Sequence, residues 1–205
     1  MQKDKRRIWN TAIKGRFILN NRKPEVIVFA GPNGSGKSTI TSLVNLKCEY
    51  INADNIKRSL LCSDIEATQI AYNLRIDLIE AKKNFSFETV LSSDYNLELL
   101  KRAKQEGYFI KCFYILTCNP DINVSRVEAR VYNGGHDVPK NKIIERYSRC
   151  LERIPMLVEL CDIIHIYDNT EIPFRIFKKR KSEMFIWSNS FWNDEEIKRL
   201  VGLLK

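Results

Sequence analysis

Residues 31–39 read Gly31-Pro32-Asn33-Gly34-Ser35-Gly36-Lys37-Ser38-Thr39, and no other stretch constrains the fold as tightly. The run satisfies G-x-x-x-x-G-K-[ST] in full. It follows the apolar segment Val26-Ile27-Val28-Phe29-Ala30 and precedes a segment of helical period. In a strand–loop–helix setting the glycines let the backbone curl until successive N–H groups face a phosphate. The helix behind adds its positive end. Lys37 is expected to reach the β- and γ-phosphates, and Ser38 to offer a hydroxyl to Mg²⁺. All nine residues, Gly31 to Thr39, are read as a binding loop for ATP or GTP with Mg²⁺.

The rest of the chain supplies the sheet that such a loop requires. Strand-like runs at 26–30, 49–52, 85–90, 108–116 and 163–167 alternate with helical periods at 38–46, 64–83, 94–106, 121–132 and 140–160. Alternation of this kind builds βαβ units around a mainly parallel sheet, with helices on both faces. After Asp168 the pattern changes to a hairpin, 174–177 with 184–187, and a closing helix over about 194–204. The expected fold is α/β: a P-loop NTPase-type three-layer αβα sandwich with a C-terminal hairpin and helix. Its domain spans 24–205, behind a basic arm at 1–23.

Charge is concentrated in that arm. The chain carries +9, and residues 1–23 hold eight Lys and Arg against Asp4 alone. The remainder is close to neutral, so nucleic acid is an unlikely partner except through the arm, which otherwise reads as a solvated lead-in. A second cluster, Lys178 to Lys181, reads as a solvated hairpin tip. The six cysteines form no C-x-x-C pair and read as small buried residues of a reducing compartment. No apolar run is long enough for a membrane span, and the basic start is not followed by the apolar stretch of a signal peptide. These features place the expected location in the cytoplasm, with no membrane partner.

The kind of P-loop chemistry follows from side chains elsewhere. The run Ile163-Ile164-His165-Ile166-Tyr167-Asp168-Asn169 has Asn where a motor ATPase carries a water-polarising Glu. No Asn-Lys-x-Asp guanine-reading run is present. Both points favour a kinase for a small-molecule acceptor. Asp54 and Glu88, the latter followed by Thr89, close strand-like runs where ligands bind in open α/β sheets. Asp54 serves equally as a helix N-cap. Arg126 and Arg130 share a helix face ahead of Gly134-Gly135, a pattern suited to a lid over about 121–139. Arg146, Arg149 and Arg153 on the next helix could assist. His136 either touches phosphate or closes the turn, and His165 reads as a core residue.

The ordered set GPNGSGKST, Asn52-Ala53-Asp54, Phe87-Glu88-Thr89, Arg126-Val127-x-x-Arg130-Val131, Gly134-Gly135-His136-x-Val138-Pro139 and Tyr167-Asp168-Asn169-Thr170 resembles the zeta-toxin-like P-loop kinases over about residues 25–170. Founding members phosphorylate UDP-N-acetylglucosamine and so poison bacterial wall synthesis. The resemblance implies an ATP- and Mg²⁺-dependent phosphotransferase, with Asp54 as base, Lys37 as phosphate clamp and Glu88 with Thr89 as substrate contacts. Arg126 and Arg130 are implied as catalytic lid charges, and an antitoxin protein as partner. The chain differs from the founders in its Gly-Gly-His lid and in its short segment 55–84. A polynucleotide or antibiotic kinase is the rival enzyme. A non-catalytic nucleotide-binding module docking nucleic acid by its arm is the rival outside catalysis.

Overall fold

The computed structural model describes residues 22–135 and 137–204. The basic arm up to residue 21, and His136, lie outside the described residues. Five parallel strands, β1 (Glu25–Ala30), β2 (Glu49–Ile51), β3 (Phe85–Thr89), β4 (Phe109–Leu116) and β5 (Ile163–Asp168), stand in the order β2-β3-β1-β4-β5. Two antiparallel strands, β6 (Phe174–Arg180) and β7 (Glu183–Ile186), extend the sheet beyond β5. The expected hairpin therefore forms the sheet's own edge rather than an appendage. β1 is central, paired with β3 from Val26↔Phe85 to Ala30↔Thr89 and with β4 from Glu25↔Phe109 to Ala30↔Tyr114.

The chain leaves β1 in one direction and crosses back over it in the other. Right-handed crossovers consequently put the first helix, α1 (Lys37–Leu43), on one face of the sheet. On the opposite face lie α2 (Ala53–Leu60), α3 (Asp64–Glu80), α4 (Tyr95–Gln105), α5 (Pro120–Tyr132), α6 (Lys140–Glu152) and α7 (Ile154–Leu160). The main core lies on that second face. Val26, Val28, Phe85, Phe87, Ile110, Cys112, Ile164 and Ile166 point from the sheet into Ala71, Leu78, Leu100, Leu157 and Val158. Ile197 of the last helix, α8 (Asp194–Leu200), joins them. At about 25 cal/mol per Å² of apolar surface, burial of such side chains is the main stabilising term. A separate small cluster of Val124, Val127, Val138 and Ile143 holds α5 to α6.

Several expectations are corrected. The helix over 140–160 divides at Arg153, because Pro155 occupies the first turn of α7 and has no N–H to continue the ladder. The closing helix stops at Leu200. Lys178, Lys179 and Arg180 belong to β6 rather than to a solvated tip. Lys179 Nζ donates to the carbonyls of Val158 and Glu159 at the end of α7, where a cation meets the helix's negative end. Three cysteines, Cys112, Cys150 and Cys161, are fully buried, and the other three are partly covered. No helix among the described residues is long and apolar enough to cross a membrane.

The cap of α2 is Asn52, not Asp54. Asn52 Oδ1 accepts from the N–H of Asp54 at 2.8 Å and of Asn55 at 3.2 Å. Asp54 sits in the first turn, where a negative charge suits the helix end. Asn52→Ala is expected to lower stability by about 1 kcal/mol, while Asp54→Asn changes it by only a few tenths. Urea denaturation of the two variants checks this, and equal losses would return the cap to Asp54.

Candidate functional site

The phosphate loop is held from outside by side chains that take its carbonyls. Lys37 Nζ donates to the carbonyls of Gly31 at 2.9 Å and Pro32 at 2.8 Å. Asn123 Nδ2, from α5, donates to Asn33 O at 2.6 Å. Asn169 Nδ2, just past β5, donates to Ser35 O at 2.8 Å. In a trans peptide the following N–H lies opposite the carbonyl. Each of these bonds therefore fixes the orientation of the N–H that follows it, at Asn33, Gly34 and Gly36.

The loop's three glycines are required by geometry, Gly31 included, where an added Cβ would lie 1.9 Å from the carbonyl oxygen of Ile115. At Gly34, with φ +75°, an added Cβ would lie 2.4 Å from the carbonyl oxygen of Asn123. Gly36 caps α1 in the left-handed region at φ +93°, and its Cβ would lie 2.3 Å from the Asn169 amide. The same close packing that orders the loop excludes a side chain at these positions.

The carboxyl ends of β1, β2 and β3 open into one cleft with α5 and α6 beyond it. Its walls carry Asn33, Lys37, Ser38, Asp54, Glu88, Thr89, Arg130 and Arg146. Lys37 keeps part of its surface exposed, but its ammonium is enclosed. Burial pulls its pKa down to about 8, against the opposing pull of Glu88 and with a further lowering from Arg130. Glu88 is oriented by α1: its oxygens accept from Ser38 Oγ at 3.2 Å and Thr41 Oγ1 at 2.7 Å. Asp54 is exposed on the cleft. Thr89 is buried, and its Oγ1 accepts from Leu91 N at 3.0 Å and Asn96 Nδ2 at 2.9 Å.

The arginines separate into distinct roles. Arg130 faces the cleft. Arg126, expected beside it, turns to the carbonyls of Asn169 at 2.8 Å and Thr170 at 3.0 Å. It thereby braces the residue that braces Ser35, and it does not line the cleft. Arg146 lines the cleft in its stead, with Nη1 3.5 Å from Asn33 Oδ1. Arg149 pairs with Glu145, and Arg153 with Asp94. The spacing of 126 and 130 signals a shared face, but Arg126 meets the carbonyls just past β5 and only Arg130, one turn on, meets the cleft. Arg146 could have been singled out only by knowing how α6 returns.

Sequence reasoning also passed over Asn123 and Arg75. Neither stands in a motif, and both earn their place through contacts with residues distant in the chain. His165 is half-buried in β5, stacked on Phe113 at 5.3 Å. Burial and then Arg175 hold its pKa at about 4, so it is a neutral part of the sheet. Among the described residues no group of three or more His, Cys, Asp or Glu could hold a metal ion. A metal here would rest on few protein oxygens. Ser38 Oγ with Glu88 at the start of α1 supplies hard oxygen donors of the kind Mg²⁺ takes alongside phosphate and water.

Known proteins share this fold. The zeta toxin family model matches residues 10–189. An uncharacterised protein of Haemophilus influenzae is 30% identical over 140 residues, covering 65% of this chain and 98% of the relative. A structure from the PezAT chromosomal toxin-antitoxin system of Streptococcus pneumoniae superposes with a TM-score of 0.60 at 17% identity, over 96% of this chain and 90% of the other. The AvrRxo1-ORF1:-ORF2 structure with ATP superposes at 0.66 and 14% identity, over 89% of this chain and 65% of the other. Loop, sheet order and family match agree, and the chain belongs to the zeta toxin family.

Proposed function

We propose that this protein is a kinase that transfers the γ-phosphoryl group of ATP, with Mg²⁺, to a hydroxyl of a small acceptor. One observation carries the reading: a phosphate loop, an exposed carboxylate at Asp54, an oriented carboxylate at Glu88 and two arginines converge on one cleft. The ATP in the AvrRxo1-ORF1:-ORF2 structure supports the choice of nucleotide. Membership of the zeta toxin family supports a nucleotide sugar such as UDP-N-acetylglucosamine as acceptor. The PezAT toxin-antitoxin system supports an antitoxin protein as partner.

Each residue then has a task. The loop N–H groups and Lys37 bind the β- and γ-phosphates. Ser38 and Glu88 would hold Mg²⁺, which neutralises charge on those phosphates. Asp54 accepts the acceptor's hydroxyl proton as that oxygen bonds to the γ-phosphorus and the bond to the β,γ-bridging oxygen breaks, leaving ADP. Arg130 and Arg146 meet the charge that spreads over the transferred oxygens. Arg126 positions the loop through Asn169.

Asp54→Asn tests the base. Turnover should fall by roughly 10²–10⁴ with ATP binding kept. Full turnover in that variant would exclude the role and transfer attention to Glu88. For the lid, Arg130→Ala and Arg146→Ala are each expected to lower kcat by roughly 10²–10³ with little change in ATP affinity. Arg126→Ala should instead weaken ATP binding and lower the melting temperature, since it acts through the loop. Identical kinetic signatures for all three would undo this division.

Lys37 gives a pH test. Its folded pKa of about 8 lies below the ordinary 10.5, so the free protein favours the neutral amine above pH 8. Phosphate favours the charged amine, so ATP binding near pH 8.5 should take up a proton, and affinity should decline as pH rises through the pKa. Calorimetry in buffers of different ionisation enthalpy reads that uptake. Lys37→Ala should abolish both the uptake and most of the melting shift, which at about 100 times Kd corresponds to roughly 2.7 kcal/mol. The same linkage makes the amine's contribution to folding smallest below pH 8 and fully present above about 10.5.

A further inference from the structure

One cation of the cleft has no task in phosphoryl transfer as described. Arg75 lies midway along α3, is 6% exposed, and forms part of the wall shared by Asp54 and Glu88. Its guanidinium rests on the ring of Phe87, 4.4 Å from the centroid. Nη1 donates to Asn96 Oδ1 at 2.9 Å. Asn96 in turn donates to Thr89 Oγ1 at 2.9 Å, so the fork is oriented from the end of β3. Nε is buried with no acceptor. Among the described residues no carboxylate forms an ion pair with Arg75.

This is an unusual condition for a guanidinium. Burial lowers its pKa to about 10, still well above neutrality, so the charge remains. A buried cation that lacks a counter-ion bears a desolvation cost that its own chain does not offset. Arg153, less enclosed, shows the ordinary solution by pairing with Asp94 at 3.0 Å. The cleft that Arg75 lines also carries Thr68, Ser92, Ser93 and Tyr95, and its carboxylates, Asp54 and Glu88, form no ion pair with Arg75.

We propose that Arg75 is the anchor for an anionic group, a phosphate or a carboxylate, carried by the acceptor whose hydroxyl is presented to Asp54. The proposal rests on the kinase reading and names the residue that would hold the oxyanion its acceptor carries. The planar fork suits two parallel bonds to such a group. The anchor also discriminates. A neutral acceptor leaves the cation buried and unpaired, and a charge-assisted bond of this type corresponds to roughly 10- to 100-fold in affinity.

The side chain can be watched directly by NMR of arginine Nε–Hε groups in ¹⁵N-labelled protein, with and without saturating Mg²⁺ and a non-hydrolysable ATP analogue. Inorganic phosphate and acetate serve as probes, with chloride at matched ionic strength as control. One Nε–Hε resonance, absent from Arg75→Lys, should shift saturably with phosphate or with acetate and not with chloride. A phosphate response assigns phosphorylated acceptors, and an acetate response assigns acids. No saturable shift with either anion, or an equal shift with chloride, overturns the proposal.

Asn96→Asp is the second variant, should Arg75→Lys fail to fold. It places a carboxylate beside the guanidinium, and it should abolish the anion response while nucleotide binding persists. An undiminished response in Asn96→Asp also overturns the proposal. Failure of the nucleotide analogue to bind the wild type would instead sink the kinase reading. The response of Arg75 without nucleotide is read separately from it.

Discussion

The ammonium of Lys37 and the two loop carbonyls it holds govern the rest of the site. A nine-residue loop with three glycines has no reason of its own to keep one shape. Drawing the carbonyls of Gly31 and Pro32 onto one buried cation, and those of Asn33 and Ser35 onto two amides, fixes the orientation of the N–H groups of Asn33, Gly34 and Gly36. The two amides stand 90 and 134 residues further along the chain, Asn123 on α5 and Asn169 just past β5. The loop is thus a junction whose shape depends on the placement of elements distant in sequence. A buried polar network of this kind is costly when partly satisfied and specifies one arrangement when complete.

The sheet explains why those elements meet. With β1 central and the chain reversing across it, the carboxyl ends of β1, β2 and β3 share one edge, the place where open α/β sheets bind ligands. Glu88 and Thr89 both end β3 but serve opposite sides of it. Glu88 turns to α1, Ser38 and Thr41, whereas Thr89 turns to Leu91 and Asn96. Alternation along a strand is enough to give two neighbours in sequence two different employers. One orients the phosphate side of the cleft and the other orients the wall that carries Arg75.

What could be read in the chain before folding follows the reach of each signal. The loop was legible because its motif is local and its flanks carry the right periods. The strand–helix alternation gave the sheet, and the hairpin after Asp168 was visible in the change of pattern. Local signals failed where tertiary geometry decides. Asp54 and Asn52 are both good caps, and only the backbone shows that Asn52 holds the position. Arg126 and Arg130 share a face by spacing, yet one turn of α5 is enough to give the two side chains different surroundings. Pro155 was in plain view and still lay inside an apolar period long enough to read as one helix. Arg75 could not be found at all from sequence, since an arginine in an amphipathic helix reads as solvated until its neighbours are known.

The small core shared by α5 and α6 has a mechanical meaning. Val124, Val127, Val138 and Ile143 pack apart from the main core, yet both helices are tied at their roots. Asn123 and Arg126 fasten α5 to the loop and the end of β5, and the Tyr147 hydroxyl fastens α6 to the carbonyl of Thr117 at 2.5 Å. A helix pair seated in this way is coupled to the loop: displacing α5 would break its bonds to Asn33 and to Asn169 together. The shape of the loop is therefore tied to the seating of α5 and α6 on the sheet.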